Sequence, residues 1–295
     1  MYKQLRSTIR AVAPAPLVPV LARVENYFRR LADLVHVATH VRGATLRDNL
    51  VLWGSILAGP FTALTDLRKW REPTLLGDAE IVSRGLGRFT IRANSDDLAH
   101  VLFERDYKLH EALRSSVKPG DVALDAGANI GVTALTLSRA VGDSGRVIAV
   151  EMMPETAAHL RHHLALNGIR NVEVVELALS ARAGETVTAN VPAGFFGQAS
   201  IAPETARSGS ATIDVRTTTI DEILRNIPEV ALVKMDLEGA ERIALEGAEA
   251  SLAKFSSVIF EDWAGGSRLS NYFVSKGFEI TPVDEWNFLA RRPVR

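Results

Sequence analysis

A chain of 295 residues, 47% hydrophobic and 23% charged, has room for one α/β domain of about 200 residues plus an extension. With 34 basic and 35 acidic residues its formal net charge is −1, so nucleic acid is not an expected partner on charge alone. It has no cysteine, which excludes disulfides, thiolate metal sites and cysteine nucleophiles, and no apolar run of about eighteen or more residues, so no transmembrane helix is expected.

Residues 1–75 read as a helical N-terminal extension, and 76–295 as the main domain. Lys3, Arg6 and Arg10 precede an apolar segment, 11–22, that superficially resembles a signal peptide. Pro14, Pro16 and Pro19 would break the helix such a segment needs, so a retained, cytoplasmic N-terminus is expected. Leu21, Val24, Phe28, Leu31, Leu34 and Val35 recur at helical spacing. A second apolar stretch, 50–64, is expected to break at Gly59-Pro60. Arg23, Arg29, Arg30, Arg42, Arg47, Arg68, Lys69 and Arg71 make the region basic. Such helices either form a cap or an oligomer interface, or dock a protein partner or the periphery of an anionic membrane, and composition favours the cap or oligomer interface over membrane contact. His36 and His40 lie one turn apart, but no third ligand accompanies them, so they read as surface histidines.

Residues 80–92 read as a hairpin turning at Gly85 and Gly87, and 96–116 as one helical run whose His110 lies on the surface. The chain then reaches its most informative stretch. Val122 to Leu124 suits a buried strand, Asp125 ends it, and Gly127, Asn129 and Gly131 form a tight turn into a helix from Val132. The pattern is D-x-G-x-N-x-G, not the G-x-G-x-x-G of dinucleotide sites. The next strand, 146–151, ends in Glu151, whose carboxylate can accept from both hydroxyls of a ribose. A helix opened by Pro154 runs to Asn167-Gly168 and carries His159, His162 and His163, which read as exposed.

Residues 171–177 form the third strand, followed by Ala178, Leu179 and Ser180. A strand at 185–191 leads into a long Gly-containing loop in which Phe195 and Phe196 are either a lid over substrate or part of a surface loop. After a strand near 214–219, Thr219 and Glu222 have capping-box spacing. The strand 230–236 brings Lys234 and Asp236 to its carboxyl end, and Glu238 and Glu241 open the next helix, where acids suit the dipole. The strand 257–263 ends with further acids, Glu261 and Asp262, at the same edge. Strands near 278–283 and 287–291 close the chain as a hairpin.

These residues resemble the FkbM family of S-adenosylmethionine-dependent methyltransferases from about Asp96 onward. The resemblance rests on the motif 125–131, on Lys234 to Glu241 and on Thr219 to Glu222, with weaker support from 178–185 and 197–200. The sequence departs from the family at 151–154, where Glu-Met-Met-Pro replaces Glu-Pro-Asn-Pro, and Val150 stands where an aromatic is often found. The resemblance implies a class I, Rossmann-like α/β fold: a mostly parallel seven-stranded sheet with an antiparallel C-terminal hairpin. It implies S-adenosyl-L-methionine as cofactor and a hydroxyl of a sugar, glycan or polyketide-like molecule as acceptor. Asp125, Gly127, Asn129, Gly131, Glu151 and Ser180 would bind the cofactor. Asp236 would act as base or metal ligand, followed by Glu238 and Glu261, with Lys234 orienting the acceptor or setting the charge of Asp236. A divalent metal is left open. A cofactor made in the cytoplasm agrees with a retained chain. Two competing readings stand beside this one: a nicotinamide-dependent oxidoreductase, and a non-catalytic cofactor-binding scaffold working through its basic N-terminal helices.

Overall fold

A computed structural model describes residues 18–64, 72–102, 106–192, 195–203, 210–262 and 268–293. The signal-like residues before 18, the basic residues Arg68, Lys69 and Arg71, and loop residues 204–209 lie outside that description. The chain divides into two compact units. One comprises residues up to 84 with 91–102, and the other 85–90 with everything after 102.

In the first unit, α1 (Val18–His40) runs into β1 (Val41–Gly43) and then α2 (Leu46–Leu64). The strand was not foreseen. It pairs antiparallel with β2 (Ala79–Ser83), Val41 opposite Ser83. Thr45 and Asp48 cap α2 reciprocally: Thr45 N–H and Oγ1–H donate to Asp48 Oδ2 (3.1 and 2.6 Å), and Asp48 N–H donates to Thr45 Oγ1 at 3.2 Å. The expected break at Gly59-Pro60 does not occur, since α2 continues through Pro60 to Leu64. Packing accounts for this. A Cβ at Gly59 would strike the Leu34 side chain, so glycine lets α1 and α2 approach closely there. That tertiary contact outweighs the local cost of proline. His36 and His40 stack with ring centroids 4.2 Å apart.

The chain continues through β3 (Gly87–Ile91), and the single helix expected over 96–116 is two: α3 (Asp97–His100) and α4 (Tyr107–Ser115). Asp97 is buried and forked by Arg92, with bonds of 2.8 and 2.7 Å that offset its burial.

The second unit alternates strand and helix: β4 (Val122–Ala126), α5 (Val132–Val141), β5 (Arg146–Val150), α6 (Pro154–Leu166) and β6 (Val172–Val175). Then come β7 (Ala178–Leu179), β8 (Thr186–Val191), β9 (Ala211–Thr218), α7 (Ile220–Ile223) and β10 (Val230–Met235). The chain ends with α8 (Glu241–Glu246), β11 (Phe255–Glu261), α9 (Arg268–Ser275), β12 (Glu279–Pro282) and β13 (Asn287–Arg291). The seven-stranded sheet has the order β12-β13-β11-β10-β4-β5-β6. Strands β6, β5, β4, β10 and β11 are parallel, and β13 runs antiparallel to both β11 and β12. Both faces are covered: Leu124 and Val233 pack into one apolar cluster, Ala123 and Leu232 into another. That is why the central strands are continuously apolar rather than alternating. Strands β7, β9 and β8 form a separate small sheet.

Two histidines expected at the surface are buried. His110 on α4 lies 3.0 Å by Nδ1 from Thr136 Oγ1 on α5, and that hydroxyl donates to Val132 O. His163 Nδ1 lies 2.8 Å from Ile130 O, and its Nε2 accepts from Thr90 N–H at 2.9 Å. It thus ties α6 to the Gly turn. Helical spacing does not reveal either one, because each is a polar residue buried only by its tertiary neighbours. Burial, helped by Arg114, depresses His110 to a pKa of about 4, and burial also lowers His163. A depressed histidine adds stability above its unfolded pKa of 6.5 that is lost as pH falls toward 4. For His110 the loss is about 3 kcal/mol. Melting temperature is therefore expected to fall between pH 6.5 and 4, with a shallower slope in His110→Asn.

Candidate active site

The sheet order reverses between β4 and β10: from β4 the chain moves to β5 and β6 on one side, while β10 and β11 fill the other. Ligands of open α/β sheets bind at the carboxyl ends of the strands beside such a reversal. Here the turn after β4 meets the turn after β10. A Cβ on Gly127 (φ +86°) would collide with the Asp236 carbonyl, so only glycine admits this approach. Gly131 (φ +96°) is required for a similar reason, because a Cβ there would strike Leu160 on α6.

A cleft opens at this point, where small-molecule sites of such sheets lie. Of the ten site residues proposed from sequence, Gly127, Asn129, Glu151, Asp236 and Glu238 line it. Asp125, Gly131, Ser180, Lys234 and Glu261 are outside the lining. Ser180 instead donates its N–H to Thr218 O at 2.9 Å, leaving Leu177, Ala178 and Leu179 as the wall. Met152, Ile201 and Leu237 also contribute, and nothing in the sequence separates them from core residues. Phe196, on a 3-10 turn at Phe196–Gln198, lines the cleft with Gly197 and Ala199. Mutual backbone bonds between Asn190 and Ser200 (2.8 and 3.0 Å) fix that segment to β8.

The residues fit an adenosyl cofactor. Glu151 is 8% exposed, and its two oxygens accept from Asn129 N–H (2.9 Å) and Met153 N–H (2.8 Å). Those bonds fix the carboxylate, and each oxygen has a second lone pair for a ribose hydroxyl. Asn129 sits in the left-handed region (φ +46°), and its buried Oδ1 makes no hydrogen bond. An unsatisfied buried acceptor lining a cleft calls for a donor on the ligand. The apolar wall suits a purine ring.

Behind the cleft lies a charged cluster. Lys234 is 1% exposed, opposite Asp125 in the β4–β10 register, with Nζ 3.3 Å from Asp236 Oδ2. Burial pulls its pKa down, but Asp236, Glu261 and Asp125 outweigh that and raise it, so the ammonium is held charged. The same direction of shift favours the neutral form of Asp125. Burial pushes its pKa up to about 7, with Asp236 and Glu151 adding repulsion and Lys234 opposing them. Its two buried oxygens make no hydrogen bond of ordinary geometry. Lys234→Met is expected to destabilise the fold by roughly 3–5 kcal/mol, the usual cost of orphaning a buried charge. Urea unfolding measures it.

The two acids expected to open the helix after β10 are separated. Glu241 does so, accepting from Leu237 N–H (2.9 Å) and Gly239 N–H (3.3 Å), a structural task. Glu238 is on the preceding turn at φ +52°, a conformation that costs an L-residue roughly 1–2 kcal/mol. Among the described residues no group of three or more histidine, aspartate or glutamate side chains is placed to hold a metal.

Strand order, reversal point, Gly turn and terminal hairpin together define a class I, Rossmann-like methyltransferase fold. The family described as "Methyltransferase FkbM domain" matches residues 125–277, slightly more than half the chain. The chain belongs to this family, and its cofactor is S-adenosyl-L-methionine. A curated relative, the arsenite methyltransferase of Halobacterium salinarum, is 25% identical over 228 residues, covering 68% of this chain and 55% of its own. The chain thus spans about half the length of the curated relative it matches. Solved structures of similar fold include an rRNA methylase from Streptococcus thermophilus (12% identity, TM-score 0.40, 63% of this chain and 95% of that one). They also include a methyltransferase from Geobacter sulfurreducens (17%, 0.41, 66% and 88%). A third is Aeropyrum pernix fibrillarin with natively bound S-adenosyl-L-methionine (18%, 0.37, 62% and 72%). No described helix is long and apolar enough to cross a membrane.

Proposed function

We propose that this chain is an S-adenosylmethionine-dependent O-methyltransferase acting on a hydroxyl of a sugar, glycan or polyketide-like acceptor. The observation that carries the proposal is the placement of Asp236 and Glu238 in the same cleft as Glu151. The bound cofactor supplies an activated methyl group, which leaves the protein to position the acceptor and take its proton. Glu151 holds the ribose, and Asn129 Oδ1 accepts from the amino end of the methionine moiety. Gly127 and Gly131 shape the turn under that end. Asp236 accepts the hydroxyl proton as the new oxygen–carbon bond forms, which is general-base catalysis. Lys234, 3.3 Å behind it, orients the carboxylate. Glu238 and Phe196 bound the acceptor end, one for hydroxyls and the other for a ring face. Arsenite is a poorer candidate acceptor, since soft centres favour thiolates and this chain has no cysteine.

Methyl-labelled cofactor incubated with alkyl glycosides, hydroxylated polyketide analogues, amines and RNA tests the assignment. The expected product is a labelled methyl ether on a hydroxylated acceptor. Label on nitrogen or RNA, or no transfer by protein that binds the cofactor, contradicts it.

A further inference from the structure

Helix α2 turns an apolar stripe outward. Leu46, Leu50, Trp53, Leu57, Phe61 and Leu64 recur every three or four residues and are 48–79% exposed. The spacing puts them on one face, along roughly 27 Å of helix at 1.5 Å per residue. The inward face is Leu52, Ser55 and Gly59, all buried. An amphipathic helix of a water-soluble unit buries its large apolar side chains and exposes polar ones. This helix exposes six of its large apolar side chains instead. Helix α1 exposes Val20, Val24, Phe28 and Val35 as well. Exposed patches of this kind mark interaction surfaces.

Two observations select the occupant. A protein interface carries a polar rim that fixes register, yet α2 has no charged residue from Leu50 to Leu64, on the stripe or beside it. The exposed charges on these elements are mostly cationic, Arg23 and Arg29 on α1, Arg42 on β1 and Arg47 at the start of α2, where Arg47 pairs with Asp48 at 3.5 Å and lies beside the exposed Asp78. Three of the acids nearby are withdrawn, with Asp48 buried in the α2 cap and Glu25 and Asp33 half-buried, leaving Asp78 exposed. Apolar side chains flanked by exposed arginines complement the acyl and phosphate layers of an anionic bilayer. The helix carries Gly54, Gly59 and Pro60 and does not qualify as a membrane span. We propose that α2, aided by the exposed apolar residues of α1, lies in the plane of an anionic lipid surface and anchors the chain there.

The test is sedimentation of the full chain with phosphatidylcholine vesicles, with and without phosphatidylglycerol. Binding to the anionic vesicles is expected, weakened by salt and roughly tenfold or more weaker on neutral ones. The triple variant Leu50→Glu, Leu57→Glu, Phe61→Glu is expected to stay in the supernatant with unchanged circular dichroism, since these side chains are exposed. Arg23→Glu with Arg42→Glu is expected to lose the preference for anionic lipid while keeping its fold. If the wild-type chain stays in the supernatant, or both variants sediment as it does, the proposal is overturned. A wild-type dimer that the triple variant dissolves, without vesicle binding, would assign the stripe to a second copy instead.

Discussion

Asp236→Asn is expected to lower kcat by roughly 10²–10⁴-fold, the usual contribution of a positioned general base, while S-adenosylmethionine affinity stays nearly unchanged. The backbone supports this separation. Asp236 N–H is bonded to Ala126 O at 3.0 Å, and the Asp236 carbonyl is the group packed on Gly127, so the exchange alters only a side chain in the cleft. Asparagine keeps the shape and loses the capacity to take a proton. It also takes from Lys234 the nearest opposite charge, 3.3 Å away, so a modest loss of stability accompanies the kinetic one. Single-turnover rates with saturating cofactor measure the chemical step. If kcat in Asp236→Asn stays within a few fold of wild type, the base is elsewhere, and Glu238 is the next group in the cleft.

Glu151→Ala is expected to weaken S-adenosylmethionine binding by a hundredfold or more. Two ribose hydroxyls lose a charged acceptor, at roughly 1.5–3 kcal/mol each. The substitution also releases Asn129 N–H and Met153 N–H, which the carboxylate now organises at 2.9 and 2.8 Å. Glutamine is not a mild control here. Both carboxylate oxygens face a backbone donor, so one position would set an NH₂ group against an N–H. Glu151→Gln is therefore expected to bind nearly as poorly as alanine. Full affinity in either variant contradicts the assigned ribose contact.

The parts legible in the sequence were those set by backbone geometry. Gly127 and Gly131 are demanded by positive φ and close approach, Glu151 by the end of a strand, and the terminal hairpin by two short strands around a turn. What stayed hidden depends on neighbours far along the chain. The wall formed by Leu177, Leu179, Ile201 and Leu237 is apolar, as any core is. His163 looks like a surface residue of α6 until the Gly turn and Thr90 close on its two nitrogens. Pro60 reads as a helix breaker because the sequence does not reveal Leu34 packed against Gly59. Glu238 and Glu241 look equivalent by spacing, and only the left-handed backbone at 238 separates a cleft carboxylate from a capping one.

Calorimetric titration of the purified chain with S-adenosylmethionine, S-adenosylhomocysteine and NAD tests the central claim most directly, because the whole account places an adenosyl sulfur ligand on Glu151 and Asn129. Binding of both sulfur ligands in the micromolar range, with NAD much weaker, is the predicted result. A folded chain that binds neither sulfur ligand, or that prefers NAD, would contradict it.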